Sequence, residues 1–536
     1  MIWNGNQREK KGNDNMKRLA ILSVTMIFAT SSIAAAQLSF AETNADTTTN
    51  RTTQSYDSKS VKTKTASVQK DTSWFEYYDL KDTYEISSEE ELLGFASLIN
   101  ENQTDSWKPN RIENFEGVTF VLTDDIKLTT SEWTPIGSGS ASYFAGVFDG
   151  NGHTISDLKV DSASGLAGFF GYLKGEVRDL TVEGTVKSGD SSCGGIVGQL
   201  DPEGKVTGCT ADISVTGRDK AGGIAGYNNG GTIELCTNLG EISGTYKVGG
   251  IVGENWGGTV DKCANKGKVE SSKRGVATYG TGGIAGRSVS SEAEVAHSYN
   301  TGDIVSDTEA TGGVVGYMNA SGSTIIDCYN TAKVIVKNKA DAKKIAKSYS
   351  GGIVGIAGAT DVYIRNCYNS AQVLNADVNG GVVGYYINEK SNPDHVKYLR
   401  NNYYLNDSAK TGIGLLENEN DNNLSKAAAG ISSSSLTGLA SSLTAAYKDD
   451  MGIYGNNGFP VLEWQESVSE DQRDYMDNVS TDVQKKLDKY IMESSGSSQY
   501  GQIILNLFTP DNYINDAMLL YNGNKEGIKN KVEKEK

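Results

Sequence analysis

A glycine-rich phrase recurs along the middle of this 536-residue chain and constrains its fold more than any other feature. Two copies read GGIAGYNNGGTIELCTNLGEI and GGIVGENWGGTVDKCANKGKV. The second glycine of each core lies at Gly168, Gly195, Gly223, Gly250, Gly283, Gly313, Gly352 and Gly381. The period is about 27 residues, lengthened in places by insertions, which is typical of a solenoid built from stacked similar units.

The residues between the glycine cores have the character of β-strands. One unit contains three segments in which apolar and polar residues alternate and β-branched side chains are common: GGIAGY, GTIELCTN and GEISG. This pattern predicts three short strands. Leucine-rich repeats have a similar period, but their repeated leucines are missing here. We therefore predict an all-β fold, a right-handed parallel β-helix solenoid with one coil per unit. It has an N-terminal helical and aromatic cap and a small C-terminal α-helical appendage.

Recurrent residues should form columns, because equivalent positions of successive coils lie about 4.8 Å apart. Positions two apart in a strand share a face, so we expect two inward-facing columns. The first holds Cys209, Cys236, Cys263, Cys328 and Cys367, with Ser298 and Asn402 at the same position in other units. The second holds Asn238, Asn265, Asn300, Asn330 and Asn369, whose amides can hydrogen-bond from coil to coil.

The six cysteines are interpreted as buried free thiols. Neighbours in the column are near enough for disulfides, but their Cβ vectors should run parallel rather than toward each other. No CxxC pair indicates zinc. Cys193 is off the column and is a candidate for exposure. The glycine doublets should mark corners where a side chain would crowd the next coil.

The N-terminus reads as an export signal. Lys17 and Arg18 precede the apolar run LAILSVTMIFATSSIAAAQL, and the end at Ala41 suits cleavage. We predict a signal peptide over residues 1–41, with Met16 as the better start; the alternative is an uncleaved membrane anchor. Residues 42–72 form a Thr/Ser-rich, disordered linker. No integral membrane segment is expected after cleavage, so the protein should be secreted and extracellular, or non-covalently associated with the cell surface.

The folded part divides into four further segments. Residues 73–145 hold the N-terminal cap and first strands, including WFEYY and a helix capped by Ser88 and Glu91. The repeats occupy 146–405 and a closing segment 406–466. Residues 467–536 predict a helical appendage and charged tail, the alternative being a weakly ordered tail. The apolar face of the first helix consists of Leu92, Phe95, Ala96 and Ile99.

The GGIVG-type cores resemble the GLUG motif, which is named for a Gly-Leu-any-Gly repeat. The resemblance covers roughly residues 110 to 465. The lead-in TFVLTDDIKLTTSEWTPIGS and the closing NGFPVLEWQ are similar to the flanks of GLUG regions in secreted bacterial proteins. Such repeats occur in adhesin-like surface proteins and as an accessory region in immunoglobulin A metallopeptidases. The resemblance implies the architecture and an adhesin-like bacterial surface protein, and it transfers no functional residues.

Charge and motif content exclude several functions. A formal net charge of −17 disfavours nucleic acid and anionic lipid as partners. The three histidines form no HExxH pair, which argues against a zinc peptidase. The carboxylate pairs Asp124–Asp125 and Asp449–Asp450, and Asp149 as a calcium ligand, are better explained as turn residues. We predict no catalytic, metal or cofactor-binding residue.

Aromatic residues follow several glycine cores and form the candidate binding surface. They are Tyr172, Tyr227, Tyr317 and Tyr385, with Trp256 near the same edge. If they face outward they make a ligand-facing aromatic ladder; the alternative is that they pack at the corners. We predict a non-enzymatic, adhesin-like binder of a glycan, matrix or host protein, with the oligomeric state left open. The alternatives are a polysaccharide lyase or hydrolase, or an accessory subunit of a larger surface assembly.

Overall fold

The computed structural model describes residues 68–75, 81–101, 114–163, 165–189, 191–272, 279–337, 347–387, 398–417, 427–450, 454 and 456–465. The chain divides into two compact units. The first comprises residues 1–63, 450–459 and 465–536; in it the Asp450 carboxylate accepts hydrogen bonds from the backbone of Tyr454, Asn456 and Gly458. The second, residues 64–449 and 460–464, is the solenoid. The predicted signal peptide and the helical appendage lie outside the described residues.

The solenoid wall consists of four parallel sheets, named A to D here. Sheet A has 11 strands, one from each turn. In sheet A the strands are Thr83–Ile86, Thr119–Leu122, Val147–Asp149, Glu176–Arg178, Lys205–Thr207, Thr232–Glu234, Thr259–Asp261, Glu294–Ala296, Thr324–Ile326, Tyr363–Arg365 and Leu399–Arg400. In sheet C they are Phe170–Leu173, Val197–Leu200, Ala225–Asn229, Val252–Trp256, Ala285–Val289, Val315–Met318, Val354–Ala357, Val383–Tyr386 and Ile413–Leu416.

Sheets B and D complete the wall. Sheet B begins with Ile126–Lys127, Thr154–Ser162, Thr181–Ser188 and Thr210–Gly217 and then divides into two rows. The first row is Thr237–Asn238, Ala264–Asn265, Tyr299–Asn300, Tyr329–Asn330, Tyr368–Asn369, Asn402–Leu405 and Ala428–Ile431; the second is Ile242–Gly244, Val269–Ser271, Ile304–Ser306, Val334–Val336 and Val373–Leu374. Sheet D holds Cys193–Gly194, Lys220–Gly222, Lys247–Gly249, Gly280–Gly282, Ala310–Gly312, Tyr349–Gly351 and Val378–Gly380.

The predicted parallel β-solenoid is confirmed, but each coil is more finely divided than expected. The coil from Lys220 to Gly244 contributes one strand to sheet D, one to C, one to A and two to B. Every pairing between turns is parallel, and equivalent motif residues are partners, such as Gly222 with Gly249. The prediction of three strands per coil was wrong, because the glycine bend and a second corner each break a strand that looks continuous in the sequence.

The N-terminal end is closed by a helix and a cluster of aromatic rings. Helix α1 (Glu89–Asn100) begins at Ser88, whose hydroxyl accepts from the Glu91 N–H, while the Glu91 carboxylate reaches back to Ser87 rather than Ser88. All four predicted apolar-face residues are buried. Phe95 packs on Phe120, ring centres 4.5 Å apart, which joins the helix to the core of the first turns.

The folded part starts slightly earlier than predicted. The backbone N–H of Asp71 donates to the Glu90 carbonyl at 2.8 Å, and Lys70 pairs with Glu101. Gly94 lies so close to the Asp71 carbonyl that a Cβ there would overlap it. Residues 70–72, assigned above to the linker, therefore pack on helix α1.

The closing segment adds strands to two of the sheets, two short helices and an antiparallel strand pair. Its strands Ile413–Leu416 and Ala428–Ile431 extend sheets C and B, and two short helices follow, α2 (Ser433–Thr437) and α3 (Ala440–Leu443). An antiparallel pair, Tyr447–Lys448 with Val461–Leu462, then lies along the side of the solenoid. We call Thr444–Lys448 with Pro460–Trp464 the C-terminal strap. Among the described residues, no helix has the length and apolar character needed to cross a membrane.

The asparagine column is a continuous hydrogen-bonded ladder. From Asn238 to Asn369, the Nδ2 of each donates to the Oδ1 of the next at 2.7–2.8 Å, and all five are fully buried. Each Nδ2 also donates to the carbonyl two residues onward, at 2.8–3.0 Å. The second glycine of each doublet leaves room for the asparagine amides. A Cβ on Gly313, for example, would lie 2.5 Å from Cγ of Asn330.

The cysteine column sits just after a corner of left-handed backbone. The residue before each member has positive φ: Gly208, Leu235, Lys262, His297, Asp327, Asn366 and Asn401. Each thiol then donates to the carbonyl two residues back, at 3.1–3.4 Å. All six cysteines are free and buried, including Cys193, so its expected exposure was wrong; it lies inside sheet D opposite Ala221. Burial raises the pKa of the Cys209 and Cys236 thiols, which makes them poor nucleophiles.

Candidate functional site: a groove between two sheets

The five aromatic residues of the predicted ladder do not form one uninterrupted row. Tyr172, Tyr227, Tyr317 and Tyr385 do share one column of sheet C, but other residues separate them. In register order the column reads Tyr172, Gln199, Tyr227, Glu254, Arg287, Tyr317, Ile356, Tyr385 and Leu415. Trp256 lies two residues further along its strand, opposite Asn229, and is 47 % exposed. The column is therefore a mixture of rings and charges.

Sheet D packs closely against this column because of the last glycine of each motif. A Cβ on Gly253 would lie 2.6 Å from the backbone nitrogen of Ala221, and one on Gly286 would lie 2.5 Å from that of Val248. Only glycine permits this approach of the two strands. Side chains of sheets C and D consequently meet on the outer wall. We call the surface between these two columns the inter-sheet groove.

One half of the groove is charged. Glu254 is only 4 % exposed and lies 2.7 Å from Arg287 and 3.5 Å from Lys247. Asp219 accepts from Lys247 at 3.0 Å and lies 3.3 Å from Lys220. Opposite charges are thus held together on a partly desolvated surface, where they interact more strongly than in water.

A tyrosine borders the charged half. The Lys220 ammonium lies 4.7 Å from the centre of the Tyr227 ring, a cation–π contact. Burial raises the pKa of Tyr227, and the carboxylates of Glu254 and Asp201 raise it further. Its hydroxyl therefore stays protonated and donates to Oδ1 of Asn229 at 3.2 Å.

The other half of the groove is aromatic and apolar. Ala310, Tyr317 and Ile356 form a cluster separate from the main core, with Tyr349 and Tyr385 packed against it. The rings of Tyr349 and Tyr385 stack with centres 5.0 Å apart and planes 25° apart. Burial raises the pKa of Tyr317, Tyr349 and Tyr385. Of the predicted ring positions in sheet C, Tyr172 and Tyr317 are therefore buried, and Tyr385 is partly exposed at this end.

A cavity of about 320 Å³ opens beside the charged half. It is lined by Arg218, Asp219, Tyr246, Lys247 and Tyr279. The Tyr246 and Tyr279 rings lie 4.5 Å apart, tilted by 36°, and the Arg218 guanidinium lies 5.9 Å from the Tyr246 ring centre. The sequence analysis missed these residues. Their signal was their position, since Asp219, Tyr246 and Tyr279 each stand three residues before the first glycine of a doublet.

The corner that holds this cavity is also where neighbouring coils differ in length. Sheets B and D are joined there by residues 245–246, 272–279, 307–309 and 337–348 in successive turns.

A second aromatic column is more regular than the predicted ladder but belongs to the scaffold. Tyr299, Tyr329 and Tyr368 stack with centres 5.0 Å apart and planes within 7°. Trp464 of the C-terminal strap packs on the first ring and Tyr447 on the last, while the Tyr368 hydroxyl donates to the Pro460 carbonyl. The recurring triplets SYN, CYN and CYN were its signal in the sequence. Because the strap covers it, this column does not face a ligand.

A histidine anchors the same strap. His297 lies between two carboxylates, with Nδ1 2.7 Å from Asp261 and Nε2 3.5 Å from Asp327. The hydrogen bond to Asp261 and then that to Asp327 raise its pKa to about 9. Trp464 Nε1 donates to the His297 carbonyl at 2.7 Å, and Thr444 donates to Asp327 at 2.9 Å.

We expect strap attachment to weaken at alkaline pH. The folded pKa of His297, about 9, exceeds its ordinary value of 6.5, so its stabilisation is complete below pH 6.5 and disappears as pH rises through 9. The side chain is about a third exposed, and solvent screening reduces the effect to about 1 kcal/mol. Hydrogen exchange of residues 444–448 and 460–464 should accelerate between these pH values, after correction for intrinsic exchange. A His297→Gln variant should lose this pH dependence of exchange. The same pH dependence in the variant would contradict a role for His297.

The carboxylates considered in the sequence analysis are dispersed. Asp125 accepts from the Thr154 N–H at 2.9 Å and contacts His153, which lowers its pKa. Asp149 pairs with Arg178 at 2.7 Å. In the described parts of the chain, no group of three His, Cys, Asp or Glu residues is arranged to hold a metal ion.

Comparisons with known proteins give limited similarity. No protein-family model matches the chain. A 95-residue stretch, 17 % of this chain, is 37 % identical to halomucin of Haloquadratum walsbyi (strain DSM 16790 / HBSQ001) and spans 1 % of halomucin's length. Among solved structures, a "putative immunoglobulin A1 protease" from Bacteroides ovatus is 20 % identical, with a TM-score of 0.42. That similarity covers 72 % of this chain and 93 % of the other.

Proposed function

We propose that this chain is an exported, non-enzymatic surface protein with GLUG-type repeats that binds an extracellular glycan or protein along the inter-sheet groove. The observation that carries the proposal is the groove itself. It follows consecutive turns of a rigid wall and presents tyrosine rings beside partly buried charges. Extracellular location rests on the predicted signal peptide of residues 1–41.

The groove has the chemistry of a recognition surface. Tyrosine rings supply apolar contact area with a polar edge, and they stack on sugar rings and in protein interfaces. The charges near Glu254 are held by several partners each, so little conformational entropy is lost when a ligand binds. The groove also continues across successive turns at the strand spacing, which suits an extended ligand that contacts several turns.

The test is an array of glycans and matrix proteins probed with the mature chain. We expect at least one class of ligand to bind, and the double substitution Lys220→Ala with Tyr227→Ala to weaken it about tenfold or more. The matched control is Tyr363→Ala, which removes a partly exposed tyrosine from the outer face of sheet A. Equal losses in both variants would contradict a site in the groove. New reducing ends in a polysaccharide incubated with the protein would contradict the non-enzymatic assignment.

A further inference from the structure

We propose that the cavity beside the charged half of the groove binds the carboxylate-bearing sugar of an acidic glycan. The inference rests on the proposed function and adds to it the chemical class of the ligand. A sugar acid needs an aromatic side chain beside its ring, a planar cation for its carboxylate and polar groups for its hydroxyls. The cavity combines all three within about 320 Å³, near the lower end of the usual size of small-molecule sites.

This surface carries an excess of positive charge, whereas the whole chain is negatively charged. The protein carries a formal net charge of −17. Among the described residues that form the cavity and the charged half of the groove, the cations are Arg218, Lys220, Lys247 and Arg287, and the carboxylates are Asp219 and Glu254. A local excess of positive charge on an acidic protein favours an anionic ligand at this place.

The tyrosines and the arginine are arranged for a sugar acid. The rings of Tyr246 and Tyr279 pack against each other, and both residues line the cavity, where they give a pyranose an aromatic surface to contact. The Arg218 guanidinium flanks this surface, and a guanidinium matches a carboxylate with two parallel hydrogen bonds. Arg218 is exposed, so a ligand can reach it from solvent.

The carboxylate of Asp219 fits the same ligand. It is fixed by Lys247 at 3.0 Å and lines the cavity, where its oxygens can accept hydrogen bonds from sugar hydroxyls. It would repel a strongly charged group such as a phosphate monoester more than a single carboxylate. A ring-bound carboxylate surrounded by hydroxyls satisfies both the cationic and the anionic side of the cavity.

The experiment compares an acidic oligosaccharide with its uncharged ester and with a polysaccharide that carries a different anionic group. The mature chain is titrated calorimetrically with oligogalacturonate, with its methyl ester and with a sulfated galactan. We expect the acid to bind at least about tenfold more tightly than its ester, and Arg218→Gln to remove this preference. Arg400→Gln, an exposed arginine on sheet A, is the matched control and should leave binding unchanged. Far-UV circular dichroism of both variants verifies that they are folded.

The outcomes separate this inference from the proposed function. Equal affinity for acid and ester, or a preference for the sulfated polymer, overturns the carboxylate site while the groove remains a binding surface. Binding of the acid that persists in Arg218→Gln also overturns it. Absence of binding to these probes and to every ligand on the array overturns both.

Discussion

Replacing Gly313 with alanine should destabilise the solenoid by about 3 kcal/mol or more. A Cβ at this position would overlap the carbonyl oxygen of Gly352 in the next turn and lie 2.5 and 2.7 Å from Cγ and Nδ2 of Asn330. Gly352 lies in the bend directly after its strand of sheet D, so a shift of its carbonyl oxygen moves the end of that strand, and the amide cannot move without breaking the asparagine ladder. One methyl group therefore disturbs two structures that hold neighbouring turns together.

The measurement must distinguish destabilisation of the turns next to Gly313 from destabilisation of the whole solenoid. Because solenoid stability is mainly a sum of terms between adjacent repeats, we expect hydrogen exchange to rise most in the turns that contain residues 312–336 and 349–369. Urea unfolding should also begin at lower denaturant. The control is Gly438→Ala, since a Cβ on Gly438 would have no atom within 4 Å. If the two variants unfold alike, close packing is not the reason for glycine in the column.

The repeated parts of the fold were predictable because residues that stack in successive turns are of the same type and recur in the sequence at the repeat spacing. Asn265 stacks between Asn238 and Asn300, so one residue type suits all three turns, and the sequence shows it as a spaced recurrence. The same reasoning placed Cys236 and Cys263 inside. It did not identify the left-handed corner, because that position tolerates Gly, Asn and Asp but also Leu235 and Lys262.

The non-repeated parts were not predictable from spacing. The C-terminal strap depends on contacts between residues far apart in the chain, such as Trp464 with His297, and no periodic signal records such pairs. The inter-sheet groove was predicted only in part, because the sequence analysis considered the tyrosines and not Glu254 and Arg287 of the same column. Aligning the units on their glycine doublets and reading every residue of each column would have shown both charges.

The second large effect is expected from Asn330→Ala, in the middle of the asparagine ladder. The substitution removes one of the two acceptors of Asn300 Nδ2 and leaves Asn369 Oδ1 with only the 3.3 Å bond from the Ala371 N–H; both asparagines are fully buried. It also removes the donor to the Ala332 carbonyl at 2.8 Å. Buried groups left unsatisfied cost about 1–3 kcal/mol each, so we expect a total loss of about 3 kcal/mol or more.

The end of the same ladder supplies the comparison for this prediction. Oδ1 of Asn238 has no hydrogen-bond partner among the described residues, because Ala211 occupies the preceding turn. Asn238→Ala therefore leaves only the Asn265 Oδ1 and the Gly240 carbonyl without their donor, and it should destabilise less than Asn330→Ala. Urea unfolding of both variants measures the difference. Equal destabilisation would mean that the amides act as isolated fillers of space, whereas a larger cost at the centre follows only if each amide depends on both of its neighbours.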